Sequence, residues 1–365
     1  MMDAAAVHAG LVTVDTHVDI PWPPGPSAFE DGPRRVDVPK MRRGGLGAAC
    51  FAAYVGQGPR TAEGHAAARE RAFSMLDAIV ELRLGAPSPA LCGHSADQEG
   101  PWDVGPLRPF PQGRGEEVRV CSTADAVEGA KRDGVTAVIP CVENGYSVGE
   151  DLGVLAAFRA KGAVYLTLTH TGHNALSDSS NPRPDLGDGE TLHGGLSALG
   201  QAAVGELNRL GMLVDISHVS RQAALQAAML SKTPVLATHS CVRALCDVPR
   251  NCDDLMLDAL RDCGGMVNIT AVPSFLRPGG RADAVTVADY VDHVDYVVKR
   301  CGLAHVGISS DFDGGGGFSG WRDAGESGNV TAELVRRGYG AAEIAQLWGG
   351  NFLRLLRRAE AVANA

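Results

Sequence analysis

Val14-Asp15-Thr16-His17-Val18-Asp19-Ile20-Pro21-Trp22 starts as an apolar strand and ends in an imidazole, a carboxylate and a proline. A doubly wound, dinucleotide-binding sheet needs a glycine-rich phosphate turn after its first strand, and no such turn follows here. His17 and Asp19 are two residues apart, so an extended chain turns both to the same side. Five further runs share this character: 138–143 ends on Glu143, 165–170 on His170, 213–218 on Asp215 and His218, 235–239 on His239 and 306–311 on Asp311. Strand-terminal polar residues are common singly. Six of them spread along one chain gather at one end of a single parallel sheet, where barrel enzymes keep their chemistry.

Working outward, strands are expected at 13–18, 48–55, 136–142, 164–169, 212–217, 234–238, 266–270 and 305–310. Their near-continuous apolar character fits strands covered on both faces. Helical spacing recurs between them at 62–84, 151–161, 199–210, 220–230, 253–263 and 285–300, with two closing helices at 331–337 and 341–361. Alternation of this kind predicts an α/β protein with a (β/α)8 TIM barrel of the metal-dependent hydrolase type, one domain over 1–365. Two stretches leave the repeat. Residues 21–45 follow the first strand on the active-site side. Residues 85–115 carry six prolines and no period, and are expected to be a surface insertion rather than a lid.

The 365 residues are 45% hydrophobic and 21% charged, with a net charge of −10. That balance suits a globular enzyme and argues against a nucleic-acid groove, since no basic stripe with interleaved aromatics is present. The nine cysteines contain no C-x-x-C pair, and Cys241, Cys246 and Cys252 lack structural zinc spacing. Reduced thiols and a cytoplasmic location are expected. The first ten residues have no signal-peptide character and no apolar run is long enough to span a bilayer, so no membrane partner is expected.

Divalent metals need imidazole nitrogens and carboxylate oxygens held in fixed directions. His17 and Asp19 form a clamp for one ion, and His218 and His239, ending neighbouring strands, could hold a second. Glu143 lies between the pairs with two oxygens to share, and a bridging hydroxide there would attack a carbonyl at neutral pH. His8, His65, His94, His293 and His305 read as structural, while His173 and His193 stay undecided. Asp311, rather than Asp313, is placed to carry a proton. Arg250 taken alone divides evenly between a surface ion pair and a ligand contact.

The motifs His17-x-Asp19, Glu143-Asn144-Gly145, Leu166-Thr167-Leu168-Thr169-His170, Asp215-Ile216-Ser217-His218, Thr238-His239-Ser240, Arg250-Asn251 and Asp311-Phe312-Asp313-Gly314 occur in that order. Together with the run 36–45 and Trp348-Gly349-Gly350-Asn351-Phe352, they resemble the renal dipeptidase (membrane dipeptidase) family of amidohydrolase-like metallopeptidases. The resemblance implies two zinc ions per chain, with His17 and Asp19 on the first, His218 and His239 on the second and Glu143 bridging. It further implies that His170 polarises the scissile carbonyl. Arg250 would grip the substrate's terminal carboxylate, and Asp311 would handle the proton of the water. The substrate would be a small dipeptide, L-Xaa-D-Xaa included, and a homodimer is expected.

Val18, Gly172 and the residues after Asn268 depart from the family's usual choices, which affects the substrate pocket more than the metals. One alternative is a binuclear amidohydrolase acting on another amide or lactam. Such enzymes often use His-x-His on the first strand and a carboxylated lysine on the fourth, and this chain has neither. A metal-binding protein without catalysis is the third possibility, and retention of the whole constellation speaks against it.

Overall fold

Alternate residues of the strand Ala48–Tyr54 are buried against different partners. Ala49, Phe51 and Ala53 join the large apolar cluster shared with the helices, while Ala48, Cys50 and Ala52 join a second cluster with Leu213, Leu236, Met266 and Phe352. A period of two with both faces covered explains why these strands read as unbroken apolar runs. In this computed structural model, residues 2–20, 25–82 and 118–363 are described.

The strands are β1 (Val14–Asp19), β2 (Ala48–Tyr54), β3 (Val118–Val120), β4 (Thr136–Glu143), β5 (Tyr165–Thr167), β6 (Leu213–Asp215), β7 (Leu236–Ser240), β8 (Met266–Ile269) and β9 (Val306–Ile308). Their order is β1-β2-β4-β5-β6-β7-β8-β9, every pairing is parallel, and β3 sits off this path against the start of β4. Just past β9 the sheet meets β1 again. Asp19 N donates to Phe312 O at 2.9 Å and Asp311 N donates to His17 O at 3.0 Å. The fold is a parallel (β/α)8 barrel whose closing seam passes through three candidate site residues.

All eight expected strands are present, each within two residues of its expected ends, and β3 is an addition too short to show a period. Helices not anticipated include Ala4–Gly10, Val38–Arg43 inside the 21–45 loop, and Ala124–Arg132. Each has a polar N-cap, Asp3, Asp37 or Thr123, whose side chain accepts first-turn N–H groups. The helix expected at 341–361 is instead three pieces, because Gln346–Gly350 widens into a π turn. There a β-carbon on Gly349 would lie 2.2 Å from Val12 O, so the helix backbone comes directly against the chain entering β1.

Cys50, Cys141, Cys241, Cys246, Cys252, Cys263 and Cys301 are free thiols. Among the described residues no helix is long and apolar enough to cross a membrane. The 85–115 expectation and His94 lie outside the described residues.

Candidate metal centre

β1 delivers His17 and Asp19 to one side, as the spacing requires. His17 Nε2 is 3.6 Å from Asp19 Oδ1 and 3.4 Å from Glu143 Oε2, at the end of β4. The other oxygen of Glu143, Oε1, lies 3.1 Å from His218 Nε2, 3.4 Å from His239 Nε2 and 3.9 Å from His170 Nε2. Donor atoms around one tetrahedral zinc, at its usual bond lengths, stand roughly 3.3–3.6 Å apart, so these separations suit a shared ion. Val18, between the two β1 residues, turns away into the apolar cluster.

Among the described residues, two donor groups are compact enough to hold an ion: His17, Glu143 and His239, and Glu143, His170 and His218. His239 is a neighbour of both sides, with its ring 3.9 Å from that of His17 and its Nε2 2.8 Å from His218 Nε2. The sequence-based pairing of His239 with His218 is thus one of two that the geometry permits. His170, whose ring packs 4.0 Å from that of His218, stands farthest from Glu143 and is partly exposed.

Hydrogen bonds orient the His17 ring. Tyr165, opening β5, donates its hydroxyl proton to Thr16 O at 3.0 Å, so its oxygen is left to accept from His17 Nδ1 at 2.9 Å. With the ring neutral, as a metal ligand must be, the Nε2 lone pair faces the carboxylates, and Nε2 has no hydrogen-bond partner, as is also true of Asp19 Oδ1. Buried, unpaired lone pairs converging on one point are what a cation would satisfy. His218 reaches the cluster from a left-handed backbone, φ 68°, and its Nδ1 has no partner.

Electrostatics follow the packing. Burial alone would raise Glu143, but His17, His218 and His239 hold it well below the usual carboxylate range. Burial lowers His17, yet Glu143 and Asp19 overcome it and raise the ring well above its ordinary value. Burial pushes His239 down to about 3 and His218 well down too, with Arg250 reinforcing both. Asp311, at φ 58°, is raised well above a normal carboxylate by burial, with Asp19 and Glu143 adding to the shift and His17 and Arg250 opposing it. It therefore keeps a proton more readily than an ordinary carboxylate does.

Arg250 is buried, donates Nη2 to His239 O at 3.0 Å and lays its guanidinium 5.3 Å from the Phe275 ring centroid. Its Nε is buried without a partner. That burial beside the cluster removes the surface ion pair that the sequence alone had left open.

Residues 109–365 match the profile of the family described as Membrane dipeptidase (Peptidase family M19). The chain belongs to this family. It is 37% identical over 225 residues to dipeptidase aclJ of Aspergillus oryzae, covering 61% of this chain and 52% of that protein. Against dipeptidase 3 of Rattus norvegicus it is 34% identical over 248 residues, 67% of this chain and 49% of the relative. The chain thus spans about half the length of these curated relatives. A crystal structure of the probable dipeptidase PvdM from Pseudomonas aeruginosa superposes with a TM-score of 0.85 at 29% identity, covering 99% of this chain and 98% of that one. A metallo peptidase from Rhodobacter sphaeroides, liganded with a phosphinate mimic of the dipeptide L-Ala-D-Ala, gives 0.73 at 26% identity over 90% and 91% of the two chains. Membership in a metallopeptidase family implies a metal cofactor, and the donor set fits one.

For this family member, both undecided histidines prove to be loop braces. His173 Nδ1 accepts from Ser179 N and its Nε2 donates to Gly189 O, while His193 Nε2 donates to Asn174 O. His8 ties Thr331 to Gly44 O, His293 links Val242 N to Leu276 O and His305 bonds Gly265 O. Tyr54, absent from the sequence-based site, pairs in register with Glu143 and sets its ring edgewise 4.8 Å from His170. Its position at the end of β2 was the available signal. Asp313 serves the scaffold instead, accepting from Arg35 N and Val36 N and so tethering the loop after β1.

Proposed function

We propose that the protein is a zinc-dependent dipeptidase with a two-ion centre, cleaving dipeptides that carry a free C-terminal carboxylate. The observation that carries this reading is the split of Glu143, with one oxygen toward His17, which Asp19 flanks, and the other toward His218 and His239. In this assignment those five residues are the ligands. The ions would supply Lewis acidity and lower the pKa of an attacking water. His170, the most exposed and most distant of the histidines around Glu143 Oε1, polarises the scissile carbonyl. Asp311 takes the proton of the water and passes it to the departing amine, a role supported by its raised proton affinity. Arg250 offers a buried, underused guanidinium to the terminal carboxylate.

Acceptance of a D-residue at the C-terminal position is supported by the L-Ala-D-Ala mimic bound to the Rhodobacter sphaeroides relative. The experiment is a panel of L-Xaa-L-Xaa and L-Xaa-D-Xaa dipeptides against amides lacking the carboxylate, with zinc added and with zinc chelated. Zinc-dependent turnover confined to the dipeptides is expected. Equal turnover of carboxylate-free amides would overturn the substrate assignment.

A further inference from the structure

We propose that Thr238, aligned by Asp215, is a positioning residue that fixes the His239 ring and so sets how tightly the centre holds its metal. The inference rests on the metal-centre reading above. Thr238 Oγ1 has one proton, and it goes to Asp215 Oδ2 at 2.7 Å. Only lone pairs remain for His239 Nδ1, 2.9 Å away, so the ring nitrogen must be the donor. His239 Nε2 is then the atom with a free lone pair, and it faces Glu143 Oε1 and His218 Nε2.

Asp215 cannot swing to another partner, because the barrel uses all of its acceptor capacity. Its Oδ1 accepts from Ser217 N, Ser217 Oγ and Thr238 N, and its Oδ2 from Thr167 Oγ1 as well as Thr238 Oγ1. The anchor therefore draws on strands β5 and β7 as well as the turn after β6. Thr167, Asp215, Thr238 and His239 are all buried, so water has no route to replace a lost hydroxyl. His218, the other proposed ligand close to the same Glu143 oxygen, has no partner on its Nδ1. Among the described residues the Thr238 bond is thus the only such tether on these two ligands, and its loss cannot be shared.

The test is a titration of metal-free protein with Zn2+ against a chelating dye, for the wild type, Thr238→Val and Thr238→Ser. Valine keeps the shape and removes the hydroxyl, while serine keeps the hydroxyl. Thr238→Val is expected to weaken Zn2+ binding about 10–100-fold, and Thr238→Ser to restore most of it. The metal-free melting temperatures of the two variants should lie close together, which a purely structural role for the hydroxyl would not give. Equal affinity in wild type and Thr238→Val overturns the proposal alone, as does equal loss in the valine and serine variants. A wild type that takes up no Zn2+ overturns the metal-centre reading, and this proposal with it. Should Thr238→Val fail to fold, ring-proton NMR of the zinc-loaded wild type decides. A slowly exchanging Nδ1–H on His239 is expected, and its absence overturns the proposal.

Discussion

A β-carbon on Gly314 would stand 2.3 Å from Asp311 Oδ1 and 2.7 Å from Asp19 Oδ2. Both obstacles are ends of side chains, so alanine there should leave the fold intact and displace two carboxylates of the site. Gly314→Ala is expected to melt like the wild type and lose about a hundredfold in kcat/KM, the usual cost of misplacing reacting groups by an ångström. Arg250→Ala should raise KM roughly 10- to 100-fold, matching the about 1.5–3 kcal/mol of a charge-assisted hydrogen bond, with bound zinc unchanged. A kinetic profile like the wild type's would remove Arg250 from the substrate site. His17, Glu143, His218 and His239 stood out in the sequence because each ends an apolar run. Tyr165 and Thr238 did not, since a hydroxyl's role depends on which acceptor the fold places opposite it. His173 and His193 were undecidable for the same reason, as their partners are backbone atoms of a loop.

Strands were more legible than helices, because two-sided burial leaves an apolar run that needs no context. The helices Ala4–Gly10, Val38–Arg43 and Ala124–Arg132 are short, and their evidence lies in single capping residues. The π turn at Gln346–Gly350 was hidden because its cause, the approach of Gly349 to Val12 O, is a tertiary contact. Gly349→Ala should cost about 1–3 kcal/mol by overpacking, readable as a lower denaturant midpoint.

His293 joins two elements in its neutral form, and burial lowers its proton affinity. The unfolded chain therefore binds a proton first as pH falls. Its stabilising contribution is complete above about 6.5 and is lost as pH drops through that value toward the folded one. In metal-free protein, His293→Gln should lose less stability between pH 7.5 and 5.5 than the wild type; an equal or greater loss would contradict this.

At the scale of the molecule, barrel closure and chemistry share one seam. The bonds from Asp19 N to Phe312 O and from Asp311 N to His17 O seal β1 against the end of β9 and set the spacing of three site residues. Filling the centre should accordingly stabilise the whole barrel by mass action, about 2.7 kcal/mol when free metal is a hundred times its dissociation constant. The central claim is that two ions, shared through Glu143, make the active enzyme. Stepwise addition of Zn2+ to metal-free protein, with hydrolysis of an L-Xaa-D-Xaa dipeptide followed at each step, tests it most directly. Activity is predicted to rise until two equivalents per chain are bound and then to level off. A plateau at one equivalent, or a fully loaded protein that cleaves no dipeptide, would contradict the account.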